Sequence, residues 1–199
     1  MLITKISRAV KTKGRYNVFV DEKYAFSLDE LQLVKLGIRK GQEVSEQEIT
    51  ELENESCFGK NYVRALDLIS RRLRSEREIR DYAFRKQWSK DSIEKVVERL
   101  YEHGYLDDEK FARAFVRSRA VLKSNSKKQL QLALRKKGVK SEVIDMAISD
   151  STEYSEKEAL EKLIAKKAAH YDDERKLIAY LARQGFKYDD IKSALSENE

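Results

Sequence analysis

From about Lys60 onward the chain contains a degenerate internal repeat, and no other feature narrows its fold as far. With Trp88, Val139 and Phe186 set in register, Ile79, Leu130 and Leu177 stand nine residues earlier, and Ala83, Leu134 and Leu181 five residues earlier. Ile93, Ile144 and Ile191 stand five residues later, and Val97, Ile148 and Leu195 nine residues later. Every flanking position is apolar, and the units are offset by 51 and 47 residues, a period suited to a tandem three-helix unit. Each helical segment alone would leave an apolar face uncovered, so neighbouring units must stack or the helices must pack within a unit. Proline, which breaks helix interiors, is absent from all 199 residues. The expected fold is mainly α: three tandem three-helix repeats forming an elongated, curved body.

The residues before the repeat follow a different period. Tyr16, Val18 and Val20 alternate with polar neighbours, Lys13-Gly14 marks a turn, and Asp21 to Lys23 separates a further short run. This predicts a small antiparallel meander over about residues 2–10, 15–20 and 23–27. Ser27-x-x-Glu30 and Ser45-x-x-Glu48 have the spacing of capping boxes and predict two short helices. Asn54 to Gly59 is polar without a period and is expected to be a linker. The predicted divisions are a β-rich extension over 1–58 and repeats over 60–106, 107–151 and 152–199. Further caps support them: Ser75-x-x-Glu78, Ser155-x-x-Glu158, and the pairs Asp107-Asp108 and Asp172-Asp173 ahead of helices.

Charge is where function can be argued. The chain carries a net +6, yet its 35 acidic residues leave one long stretch untouched. Between Lys110 and Ser141 eleven basic residues stand without a single Asp or Glu: Lys110, Arg113, Arg117, Arg119, Lys123, Lys127, Lys128, Arg135, Lys136, Lys137 and Lys140. Solvated helix faces usually mix signs, because intrahelical pairs relieve self-repulsion. A run that accepts the repulsion predicts a surface meant for nucleic acid or an acidic protein groove. A second, less one-sided cluster contains Arg71, Arg72 and Arg74. The candidate binding residues are therefore Arg71, Arg72, Arg74, Arg113, Arg117, Arg119, Lys123, Lys127, Lys128, Arg135, Lys136 and Lys137. Trp88, Phe111, Phe115 and Phe186 recur at core spacing and are expected to be packing residues; Tyr101 and Tyr105 flank the joint at Gly104.

Catalytic signals are weak. The two histidines, His103 and His170, fall in different repeats and lack metal-ligand spacing; His103, beside Gly104, is better placed to meet carbonyls at a helix end. Asp107-Asp108 is explained by capping. No phosphate-cradling glycine loop and no nucleophile elbow occurs. Cys57 is the only cysteine, so no intramolecular disulfide can form and an oxidising compartment is not indicated. No apolar run approaches the roughly 20 residues of a membrane span. The expectation is a monomeric cytoplasmic protein that is not an enzyme, with no cofactor, no metal and no membrane partner.

The segment Gly104 to Arg119, G-Y-L-D-D-E-K-F-A-R-A-F-V-R-S-R, joins a helix stop, a helix start and a basic face, and it resembles the signature of the RecX family of bacterial recombination regulators. Upstream, Ala65 and Leu66 through Arg72, Leu73, Arg74, Ser75, Glu76 and Ile79 resemble the family's first helix pair. Downstream, Leu130, Leu134, Lys137, Gly138 and Val139 resemble its L-x-x-x-L-x-x-K-G-[IV] segment. The resemblance covers roughly residues 60 to 198, with its motifs in family order. Where many members carry Gly-Pro at the opening of the second helix of the middle unit, this chain has Ser126 and Lys127. The resemblance implies three three-helix units in a row and a regulator of the RecA recombinase. Its partner would be the RecA nucleoprotein filament, with single- and double-stranded DNA as further partners. Such a regulator damps strand exchange, ATP hydrolysis and coprotease activity in recombination and the SOS response. The alternative reading is a non-sequence-specific DNA-binding protein that uses the same basic helical face.

Overall fold

The computed structural model describes residues 1–10 and 12–197. Strands β1 (Ile3–Arg8), β2 (Arg15–Val20) and β3 (Lys23–Asp29) form an antiparallel sheet in that order. Pairing of Val18 with Ile6 on one side and Phe26 on the other puts Ile3, Val18, Val20, Phe26 and Leu28 into one core. Asp21 and Glu22, both at positive φ, make the two-residue turn between β2 and β3. Ten helices follow among the described residues: α1 (Glu30–Lys35), α2 (Glu46–Arg71), α3 (Glu76–Arg85), α4 (Lys90–Glu102), α5 (Asp108–Leu122), α6 (Lys127–Lys136), α7 (Ser141–Ser149), α8 (Glu156–Lys167), α9 (Glu174–Arg183) and α10 (Tyr188–Ser196). The three tandem three-helix units are α2–α4, α5–α7 and α8–α10.

Two local expectations change. Ser27 opens no helix: it lies within β3, and the cap of α1 is Asp29, whose carboxylate accepts from the Gln32 N–H while Gln32 returns a bond to the Asp29 N–H. The Ser45–Glu48 capping box does form, but the helix it opens is long, and Asn54 to Gly59 lie inside it rather than in a linker. The reason is visible on the buried face of α2, which runs through Leu52, Ser56 and Gly59. Ser56 exchanges hydrogen bonds with the backbone of Ser27, and a Cβ at Gly59 would stand 2.6 Å from the Gln32 side chain. Small and polar residues are buried there because a strand and a glutamine come close, so no apolar period shows in the sequence.

Packing divides the chain into two compact units, Met1–Arg72 with Tyr82–Tyr105, and Leu73–Asp81 with Leu106–Glu199. The second unit holds two cores. One gathers Phe111, Ala112 and Val116 of α5 with Leu130, Leu134, Val139, Ile144, Ala147 and Ile148. The other gathers Leu160, Leu163, Ile164, Leu177, Leu181, Phe186 and Ile191. Of the repeat positions aligned above, only Ile93 and Leu195 are half-buried rather than buried.

Within the second unit one contact is built twice. Ser75, at the start of α3, accepts from the Glu78 N–H and donates to the Lys137 carbonyl at the end of α6 (2.7 Å); Ser126, at the start of α6, accepts from the Gln129 N–H and donates to the Gln184 carbonyl at the end of α9 (2.7 Å). The next backbone N–H, of Glu76 or Lys127, is taken by a carboxylate from the first helix of the following repeat, Asp108 or Glu156. Side chains close the same gap, Lys137 to Glu78 at 2.5 Å and Gln129 to Gln184 at 2.7 Å. A serine thus supplies an N-cap and a C-cap at once, satisfying orphan groups on two helices. It also explains how a chain without the Gly-Pro pair opens α6: Ser126 caps it and the Lys127 N–H is in use.

Candidate partner-binding surface

On α5 the basic residues separate by helical phase. Lys110, Arg113 and Arg117 share one face and line a groove of about 440 Å³ together with Leu73, Ala114, Ala147, Asp150 and Glu153. Arg119 turns away and is half-buried, its guanidinium 5.0 Å from the Phe115 ring centroid. On α6, Lys127 and Lys128 occupy the first turn and Arg135 and Lys136 the last, all exposed; Lys123 is the exposed cap residue of α5. Cations in a first turn oppose the helix dipole, so Lys127 and Lys128 do nothing for α6 itself.

The structure brings carboxylates to part of a run that has none in sequence. Asp107 lies 3.1 Å from Lys110, Asp150 lies 3.8 Å from Arg113, and Glu78 lies 2.5 Å from Lys137, whose ammonium also sits 6.0 Å from the Phe111 ring. Lys137 is therefore a half-buried docking residue between α6 and α3. Arg117, Lys123, Lys127, Lys128, Arg135 and Lys136 have no ion pair among the described residues. Of the second cluster, Arg71 pairs with Asp67 at 2.8 Å, Arg72 caps the C-terminus of α2, and Arg74 is half-buried in the second compact unit while the other two belong to the first. Asp107 and Asp108, adjacent in sequence, have opposite surroundings. The Lys110 N–H holds the Asp107 carboxyl below the usual carboxylate range, whereas burial pushes Asp108 up despite its bond from the Glu76 N–H.

His103 is the C-cap of α4, its Nδ1 2.8 Å from the Arg99 carbonyl, and its ring stacks on Tyr105 at 6.1 Å. His170 ends the 3₁₀ turn Ala168–His170, and Cys57 is exposed on α2. Among the described residues no group of three or more His, Cys, Asp and Glu side chains is placed to hold a metal ion, and no helix is long and apolar enough to cross a membrane. Trp88, Phe111 and Phe186 are buried and Phe115 packs against the α5–α7 core.

A second concave basic region escaped the sequence reading. In the first compact unit, Lys13 and Arg15 of the β1–β2 hairpin, Tyr24 of β3 and Lys60, Val63 and Arg64 of α2 line a cleft of about 730 Å³. Arg15 is 8% exposed. Its guanidinium donates to the Ser27 carbonyl and hydroxyl and to the Ser56 carbonyl, and burial lowers its pKa, with Asp29 opposing. The only sequence signal was Lys60 and Arg64 at an i,i+4 spacing, a pattern too common to single out.

Four family descriptions match the chain in order: "Regulatory protein RecX N-terminal domain" over residues 1–45, and the first, second and third three-helix domains of RecX over 62–100, 107–148 and 155–195. A regulatory protein RecX of Bacillus subtilis is 36% identical over an alignment of 203 positions covering 99% of this chain and 77% of that protein. One of Listeria monocytogenes is 30% identical, covering 99% and 76%. A crystal structure of a regulatory protein RecX superposes with a TM-score of 0.79 at 28% identity, covering 96% of this chain and 98% of the other. RecX from Lactobacillus salivarius gives 0.63 at 26% identity, covering 71% and 96%.

Proposed function

Because this chain belongs to the RecX family of regulatory proteins, we propose that it binds the RecA recombinase in its nucleoprotein filament and lowers its strand-exchange, ATPase and coprotease activities, as a monomer in the cytoplasm. The observation that carries this reading is the set of exposed cations on α5 and α6, Arg117, Lys123, Lys127, Lys128, Arg135 and Lys136, which make no ion pair among the described residues. They are mounted on a unit whose repeats are locked together by paired caps, so the charges are presented at fixed spacing. Fixed spacing favours a periodic partner, because each further contact is made without a new loss of rotational freedom. Arg71, Arg72 and Arg74 are proposed as additional contacts. Arg113 and Arg119, each already engaged by a neighbouring side chain, are proposed to contribute less, and Lys137 to act through docking.

The test is inhibition of RecA ATPase on single-stranded DNA by the wild-type chain and by the triple variant Arg117→Glu, Lys128→Glu and Arg135→Glu. All three residues are exposed, so helicity and melting should stay near wild type while inhibition falls at least tenfold. A collapse of the fold with inhibition retained per folded molecule would reverse the assignment. The same cations suit phosphates, which supports a second reading, backbone binding to DNA. That reading requires log K to fall by about 0.9 per neutralised phosphate of duplex as log salt rises. It also requires that excess single-stranded DNA relieve the inhibition fully, and that no complex form between the chain and RecA alone.

A further inference from the structure

We propose that the cleft between the β1–β2 hairpin, β3 and α2 is a binding site for single-stranded nucleic acid, separate from the cations of α5 and α6. The cleft lies entirely within the first compact unit. Its walls carry Lys13, Arg15, Lys60 and Arg64 against one carboxylate, Asp29, and that carboxylate is occupied capping α1. Neither Lys13, Lys60 nor Arg64 has an ion pair among the described residues. Lys60 and Arg64, one helical turn apart, present two charges along one wall.

The floor supplies the independent observation. Arg15 is a buried cation whose hydrogen-bond partners are two carbonyls and a hydroxyl, and no carboxylate lies within ion-pair distance of it among the described residues. Asp29, the one carboxylate near enough to favour its charge, makes no ion pair with it, and a buried cation is costly unless it is paired. Here its positive potential faces an open cleft, and an anion in that cleft would complete the pair. The guanidinium is held in place by Ser27 and Ser56, so it would be a fixed electrostatic anchor and not a mobile contact.

The same cleft contains more than charge. Tyr24 is 53% exposed, its ring held edge-on to Phe19 at 6.0 Å, and Val63 is an exposed apolar residue on α2 beside Lys60 and Arg64. Cations tracking a backbone beside an aromatic ring on which a base can stack is the combination that single strands use; the bases of a duplex are already stacked on each other. An acidic peptide would use the cations and leave Tyr24 and Val63 without a role.

The experiment uses the full chain and a labelled oligothymidylate, with fluorescence anisotropy over a salt series and acetylation footprinting by mass spectrometry. In the wild type, bound oligothymidylate should protect Lys13 and Lys60 from acetylation. The variant Lys60→Glu/Arg64→Glu should bind at least tenfold more weakly, with a slope of log K against log salt shallower by roughly 1.4, from about 0.7 for each of two lost phosphates. Tyr24→Ala should weaken oligothymidylate without changing that slope. Should the double variant misfold, the wild-type footprint and Tyr24→Ala still decide. Unprotected Lys13 and Lys60 in a saturated complex would overturn the proposal. So would a salt slope unchanged in a folded double variant, or protection given by polyglutamate and not by oligothymidylate. None of these readouts involves RecA, so the proposal stands or falls apart from the regulatory reading.

Discussion

Replacing Gly138 by alanine tests whether the repeats are locked by close backbone approach or merely adjacent. Gly138 closes α6 at φ +82, and a Cβ there would stand 2.7 Å from the Arg77 Cβ and 3.0 Å from its Cδ. The Cδ belongs to a flexible chain and can swing aside; the Cβ cannot move unless α3 moves. Gly104 closes α4 at φ +67 with nothing within 4 Å of its would-be Cβ, and so isolates the conformational part of the cost. Gly104→Ala should therefore lose about 1–2 kcal/mol, the penalty for an L-residue in the left-handed region. Gly138→Ala should lose that and a further 1–3 kcal/mol or so for overpacking, about 2–5 in all. Urea unfolding followed by circular dichroism gives both values. Adding Arg77→Ala to Gly138→Ala should recover little, because alanine retains the Cβ that makes the closest contact. Equal losses in the two glycine variants, or full recovery in the double variant, would show that α3 is not held against the end of α6 as described.

Ser126→Ala should cost about 1–3 kcal/mol, since it removes an N-cap and leaves the Gln184 carbonyl without its donor, whereas Ser89→Ala, which removes an N-cap only, should cost nearer 1; thermal melts of the pair check this. Asp108→Ala should lose about 0.5–2 kcal/mol for the cap on α3, but Asp108→Asn, which keeps an acceptor oxygen, should be neutral or slightly stabilising at neutral pH. Burial raises the folded-state pKa of Asp108, so its contribution is fully present below the ordinary carboxylate value and is lost as pH rises through the raised one; the difference between wild type and Asp108→Asn should accordingly close towards about pH 3 in urea titrations. Ile144→Ala and Ile191→Ala should each cost about 2–5 kcal/mol and half-buried Ile93→Ala clearly less, an ordering that unfolding midpoints will show.

The repeat was legible because its signal is apolar and periodic: Leu130, Leu134, Ile144 and Ile191 are buried where their spacing puts them. The meander was legible from alternation at Tyr16, Val18 and Val20. What failed shares one cause. Around Ser56 and Gly59 the buried face of α2 is polar and small because it meets the β3 backbone and Gln32, so a helix without an apolar stripe passed for a linker. The same applies to charge. The run from Lys110 to Lys140 is acid-free along the chain, yet Asp107, Asp150 and Glu78 reach three of its members from outside it. Sequence proximity reported the charge; only the fold could separate cations spent on docking, such as Lys137, from those left to a partner. The cleft around Arg15 was hidden for the opposite reason, its cations being drawn from the β1–β2 hairpin and from a helix 40 or more residues away.

The doubled interlock also has residue requirements that not every repeat meets. Continuing it requires three things: a serine opening one second helix, a glycine closing the next, and a carboxylate at the start of the following first helix. Ser75 with Gly138 and Asp108, and Ser126 with Gly185 and Glu156, meet the requirement. The position equivalent to Gly138 and Gly185 in the first repeat is Gln87, at φ +56 and exposed. Its side chain would occupy the space that Arg77 and Lys128 take above the two glycines. In the third repeat the position equivalent to Ser75 and Ser126 is Asp173, which accepts from the Arg175 N–H of its own helix. An ionised carboxylate has no proton to give to a carbonyl at the end of a further helix. The first repeat therefore lacks the bare glycine and the third lacks the hydroxyl donor, each at the position the two interlocks leave unused. Two interlocks thus join the three repeats, and each residue type stands where its partner is present, serine in the first two repeats and the bare glycine in the last two.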